Sequence, residues 1–184
     1  MTILPIDELN RFNSELSIHF ENGQIRSLKD LEDIMDEMED LFLLSAAIGV
    51  EAANSDLGTR ISLPVEQIAD IVYQPVAGEV WNNRVLAYYD KGGTEADIQR
   101  IAETEMHRIT NEAAYDTARM GGATTKTWNC SMLPTSRDTH IYLDGVSAPI
   151  DGYFTTFMGN STLYPGEFGV AEEDVNCLCW LTFN

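Results

Sequence analysis

The helical period that begins at Thr94 stops at Gly121-Gly122, and nothing in residues 124–184 restores it. That break separates a part able to fold as helices from a part that must fold through turns and short strands. Downstream, turn signals recur at Asp144-Gly145, Asp151-Gly152, Gly159-Asn160 and Pro165-Gly166. The same 61 residues hold nine of the chain's 17 aromatics. Thr125–Cys130, Thr139–Leu143 and Cys179–Phe183 read as strands. The expected fold is α+β: N-terminal helices, then a small irregular antiparallel sheet module packed on the last long helix.

Upstream, residues 1–26 read as a loose arm with one short helix around Ile6–Phe20. Ser27 then caps a helix whose apolar stripe is Leu28, Leu31, Met35, Met38, Phe42 and Ser45, with Ile34, Leu41 and Ile48 alongside. Its opposite face carries Asp30, Glu32, Asp33, Asp36, Glu37, Glu39 and Asp40. Such a face is either solvated or a docking surface. A polar loop is expected over Asn54–Ser62. Pro64 and Pro75 each open a further helix, the second ending at Lys91-Gly92-Gly93. Thr94, with Asp97 at the third position, caps the last long helix, whose stripe is Ile98, Ile101, Ala102, Ile109 and Ala113. Glu105 falls on that stripe. A carboxylate there needs a partner, and Arg108, three residues on, is within reach. Both side chains are expected to reach into the C-terminal module.

The net charge of −19, from 30 acidic and 11 basic residues, disfavours nucleic-acid binding by the whole surface. It suits solubility or a basic partner. No run of about 18 apolar residues is present, so no membrane span is expected. Without the basic-then-apolar order of a signal peptide, synthesis in the cytoplasm is expected. Three cysteines without a secretion signal do not suggest a disulfide framework. Cys177 and Cys179 would point the same way on a strand.

Few constellations of chemical groups emerge. Cys130, His140, Cys177 and Cys179 have the right types for zinc, but their spacing matches no common zinc fold, and two buried thiols are the preferred reading. Cys130, His140 and Asp144 can be drawn as a nucleophile set, although Cys130 lacks an activating signature. Neither phosphate-loop motif occurs, and no cofactor is expected. His19 and His107 read as surface or partly packed residues.

An ordered series of short motifs runs through the second half: Glu103-Thr104-Glu105-x-x-Arg108, Asn111, Lys126-x-Trp128, Arg137-Asp138-x-His140, Leu143-Asp144-Gly145, Phe154, Tyr164-Pro165-Gly166 and Val175-Asn176-Cys177-x-Cys179. The series resembles the phage Mu F-like head morphogenesis family, the minor capsid proteins of tailed phages, over roughly Pro75 to Leu181. The resemblance implies an acidic helical region at 1–73 and a head-morphogenesis module at 74–184. It implies a structural virion protein rather than an enzyme, at the portal or inner capsid. That protein would act in head assembly, DNA packaging or ejection. Its partners would be the portal or major capsid protein, with at most indirect contact to packaged DNA. Some relatives carry fused toxin domains. On this view Glu105, Arg108, Arg137, His140 and Asp144 form an internal polar network, and Trp128, Phe154, Cys177 and Cys179 pack around it. Leu178 departs from the basic residue often found between the two cysteines. The alternative is a small enzyme or toxin-like module using Glu105, Arg108 and His140.

Overall fold

The computed structural model describes residues 5–76 and 78–184. The fold is α+β, helical in its first two thirds and built from short antiparallel strands and turns after that. Helix α1 (Ile6–Leu16) opens after Pro5 with Asp7 and Glu8 in its first turn and buries Leu9, Phe12 and Leu16. A 3-10 turn at Ser17–His19 leads into a hairpin of β1 (Phe20–Glu21) and β2 (Gln24–Ile25). Asn22 and Gly23, both at positive φ, supply the tight connection that such a hairpin requires. Residues 5–26 are therefore not a loose arm: the buried face of α1 belongs to the main core.

Helix α2 (Leu28–Leu57) starts where Ser27 Oγ accepts from the Asp30 amide at 3.1 Å and ends at Gly58, in the left-handed region. It runs a turn further than the expected loop boundary. Asn54 stays helical and uses its side-chain amide to tie down Ile61, bonding both its carbonyl and its N–H. Leu28 is exposed, while Leu31, Ile34, Met38, Leu41, Phe42 and Ser45 are buried. Helix α3 (Val65–Val72) follows Pro64. Pro75 does not open a helix. The Val76–Glu79 bridge makes a turn there, and α4 spans Trp81–Lys91. Helix α5 (Glu95–Met120) carries the complete Thr94/Asp97 capping box.

Helices α2 and α5 form the central pair. Their backbones come so close at Gly49 that a Cβ there would stand 2.2 Å from the Thr110 carbonyl oxygen. Small residues therefore meet small residues, with Ala46, Gly49 and Ala53 facing a seam that includes Ala113 and Ala114. The aliphatic core between them takes Ile34, Met38, Phe42, Ile98, Met106 and Ile109, with Trp81 against Phe42 edge-on at 5.1 Å.

After Gly122 come β3 (Thr125–Asn129), α6 (Asp138–Ile141), β4 (Ser147–Pro149), β5 (Phe154–Thr155), β6 (Ser161–Thr162), α7 (Ala171–Asp174) and β7 (Trp180–Phe183). Strand β3 is central, paired antiparallel with β4 on one side and β7 on the other. The strand expected over Thr139–Leu143 is instead the helical turn α6, capped by tight turns at Leu143–Val146. The C-terminal half of α5 supplies Ala114, Tyr115 and Ala118 to a second core with Trp128, Phe154, Leu181 and Phe183. Nearly every residue of α5 between Thr104 and Ala118 is therefore covered, including its charged ones.

Candidate functional site

Burying α5 on most sides forces its ionisable groups to find partners inside, and they form a chain of alternating charge. Arg108, 1% exposed, donates from Nε to Glu105 Oε2 at 2.8 Å, from Nη1 to Glu112 Oε2 at 2.5 Å and from Nη2 to the Ile71 carbonyl at 2.9 Å. Glu105, fully buried, takes its second guanidinium from Arg84 on α4. The Gln74 amide, with its nitrogen toward the carboxylate, donates to Glu112 at 3.1 Å. Gly166 lies against the Arg108 backbone at a positive φ, where an added Cβ would be strained and would crowd Arg108 Cα at 3.1 Å.

The electrostatics of this chain are uneven. Burial opposes the charge on Arg108, but Glu105 and Glu112 outweigh it and push its pKa up. Glu105 shares two guanidinium groups, while Glu112 has part of one. Burial therefore wins at Glu112 and pushes its pKa up to about 7, against the pull of Arg108. At one end the chain reaches solvent through Arg84. That side chain lines a pocket of about 270 Å³ with Glu79, Ala87, Tyr88 and Lys91.

A second polar cluster lies in the C-terminal module. His140 is held between Trp128, edge-on at 5.6 Å, and Phe168, stacked at 5.6 Å. Its Nδ1 stands 3.5 Å from both Cys177 Sγ and Cys179 Sγ. Its Nε2 lies 3.1 Å from Glu173 Oε2. Glu173 is itself buried and fixed by Thr139 Oγ1 at 2.8 Å and Asn160 Nδ2 at 3.1 Å. The chain bends at Asn176, whose φ of +57° suits Asn, just before the two thiols. Asn111 on α5 donates to the Cys179 carbonyl at 3.0 Å, tying the cysteine segment to the long helix. A hydrogen bond from Cys179, helped by His140, draws the Cys177 thiol well below the usual thiol range. The Cys179 thiol is pushed up in turn.

The five polar residues named from sequence fall into separate places. Glu105 and Arg108 are bonded to each other, with their further partners on α4, α3 and α5 rather than in the C-terminal module. Arg137 donates to the Val175 carbonyl. Asp144 accepts from the Cys130 amide at 2.8 Å and holds the turn after α6. His140 sits with the thiols. Trp128, Phe154, Cys177 and Cys179 all lie in the second core. Sequence reasoning missed Glu112, Arg84 and Glu173. Glu112 was legible as Arg108 plus four on one helix face, whereas Glu173 had no signal beyond an acidic run. His19 and His107 are buried, not surface, and burial holds His107 down at about 4.

No protein-family model matches the chain, and no solved structure does. Among curated proteins, the chain is 31% identical over 156 residues to one from Enterococcus faecalis (strain ATCC 700802 / V583). That protein is the NAD(+)--arginine ADP-ribosyltransferase EFV. The alignment takes in 65% of this chain and 32% of the relative, so the chain spans about a third of the relative's length.

This match overturns the phage head-morphogenesis reading, and with it the expectations of a structural minor capsid protein and of a chain without enzymatic activity. The motif series misled for a physical reason. Its pieces are turn and packing devices: Tyr164-Pro165-Gly166 backs onto Arg108, and Leu143-Asp144-Gly145 closes the α6 turn. Such devices report how a chain folds, and a fold does not carry a function with it.

Proposed function

We propose that this chain works in an NAD⁺-dependent, arginine-directed ADP-ribosyltransferase of toxin-like type. The observation that carries the reading is the 31% identity to the enterococcal transferase. The reaction breaks the bond between nicotinamide and ribose C1′ and joins C1′ to a guanidine nitrogen. Nicotinamide leaves neutral with the bonding pair, and the guanidinium gives up a proton. A net charge of −19 favours approach of a basic, arginine-bearing acceptor.

For the donor, the pocket at Arg84 offers suitable chemistry. Arg84 and Lys91 are cations for a pyrophosphate, and Tyr88 presents a ring for a base. At about 270 Å³ it holds part of a dinucleotide, not all of it. Glu105 is too deeply buried to touch a substrate. It acts as a positioning residue that holds Arg84 at the pocket wall.

NAD⁺ binding to the purified chain, followed by calorimetry, tests this reading. Saturable binding is expected, weakened about tenfold or more by Lys91→Gln, an exposed position whose loss spares the fold (one lost charged contact, about 1.5–3 kcal/mol). Binding that Lys91→Gln leaves unchanged overturns the pocket assignment, and no binding at all overturns the donor reading.

A further inference from the structure

The structure assigns a metal site to His140, Cys177 and Cys179, and the donor set selects zinc. This inference is independent of the transferase reading. The three donor atoms lie within 4.8 Å of one another, and all three residues are buried. The two nitrogen–sulfur separations also suit a single ion. Zinc–sulfur and zinc–nitrogen bonds of about 2.3 and 2.0–2.1 Å at a tetrahedral angle place S and N about 3.5 Å apart. His140 Nδ1 stands 3.5 Å from each sulfur.

The surroundings are those of a metal ligand rather than of a packed histidine. A ligating imidazole usually turns its other nitrogen to a carboxylate, which fixes ring orientation and tautomer. Here Nε2 lies 3.1 Å from Glu173, close but not aligned as a hydrogen bond, and Glu173 is locked by Thr139 and Asn160. With the proton on Nε2, Nδ1 presents its lone pair toward the two thiols. Trp128 and Phe168 hold the ring from the sides. The bend at Asn176 and the Asn111 bond to the Cys179 carbonyl fix the backbone that aims both sulfurs.

The fourth position opens on a cavity of about 20 Å³ lined by Cys130, His140 and Cys179 among others. That is room for one water. Two thiolates neutralise a divalent ion, and Zn²⁺ displaces the proton from whichever thiol still carries one. A soft S₂N set excludes magnesium and calcium, which take oxygen ligands. The short Cys177-x-Cys179 spacing matches no common zinc fold. The site becomes visible only once α6 and α7 bring His140 and Glu173 to the cysteine segment.

The test is metal content after reconstitution. The full chain, loaded with Zn²⁺ and dialysed into metal-free buffer, should retain about one equivalent. Loaded instead with Co²⁺, it should show thiolate-to-cobalt absorption. His140→Asn and the Cys177→Ser/Cys179→Ser pair should each drop retention at least tenfold. Cys130→Ser should keep the metal, and its loss there would overturn the open fourth position. Because a variant that loses metal can also lose its fold, the wild-type chain is decisive. Less than a tenth of an equivalent retained, with all three thiols still freely titratable in excess Zn²⁺, overturns the site.

Discussion

Glu105→Ala removes the carboxylate that joins Arg108 to Arg84 in the middle of the interior charge chain. Arg84 is partly exposed and can turn to water. Arg108 is 1% exposed and cannot. It would keep Glu112 and the Ile71 carbonyl but lose the acceptor at Nε. Breaking a buried pair by removing one partner costs about 3–5 kcal/mol. Glu112 should hold the loss near the lower end, because in the variant it becomes the sole carboxylate for Arg108.

That compensation depends on pH. The Glu112 carboxyl titrates at about 7, so it supports Arg108 fully above that pH and poorly below. The destabilisation should therefore be about 3 kcal/mol at pH 8 and larger at pH 5.5. Thermal melts by circular dichroism would show a fall of roughly 6–12 °C at pH 8, taking about 2–4 °C per kcal/mol for a chain of this length. Replacing the three interior groups together, Glu105→Met and Arg108→Met with Glu112→Gln, should recover much of the loss, since no carboxylate is then left buried without its guanidinium. A Glu105→Ala melt within a degree of the parent at both pH values would refute the interior-pair argument.

Two further perturbations follow from packing and charge. Gly49→Ala places a Cβ 2.2 Å from the Thr110 carbonyl. Despite alanine's better helix propensity, urea unfolding should show a loss of about 2 kcal/mol or more; an unchanged midpoint would mean that α2 and α5 are not in this contact. Lys126 is fully buried with Nζ over the Tyr115 ring at 4.5 Å, and burial pulls its pKa down to about 8. Below pH 8 the unfolded and folded chains both carry the proton and the folded one bears the cost, which shrinks as pH rises from 8 toward the unfolded value near 10.5. Lys126→Met should therefore gain roughly 1–3 kcal/mol at pH 7, after the lost cation–π contact, with the gain fading by pH 10; a loss of stability at pH 7 would contradict this.

Local signals in the sequence were enough to place α2 and α5, but not the start of α4 or the short turns α6 and α7. Ser27 and Thr94 cap where they were expected to, and Gly121-Gly122 ends α5. They also led to an α+β fold with β3 and β7 near their expected places. Boundaries failed where a side chain replaced a backbone partner, as Asn54 does in carrying α2 past the expected loop. Asn22-Gly23 is a hairpin signal in its own right, and the loose-arm expectation for residues 1–26 overlooks it.

The site was legible only in part, because its partners come from distant segments. Glu105 on an apolar stripe announced an interior ion pair. Arg84, which completes it, lies 21 residues away on another helix. His140, Cys177 and Cys179 were visible as residue types, yet their convergence depends on α6 being a helical turn rather than a strand. Short motifs such as Tyr164-Pro165-Gly166 were legible as motifs. What they do here, backing the Arg108 backbone, is a matter of packing and does not identify an activity.

Transfer of ADP-ribose is the most direct test of the proposed activity. The purified chain would be incubated with NAD⁺ and a small guanidine acceptor, and both nicotinamide release and the mass of the acceptor would be followed. The account expects nicotinamide and ADP-ribosylated acceptor in equal amounts, falling together in Lys91→Gln. Neither product from a folded, metal-loaded chain that melts cooperatively would contradict it.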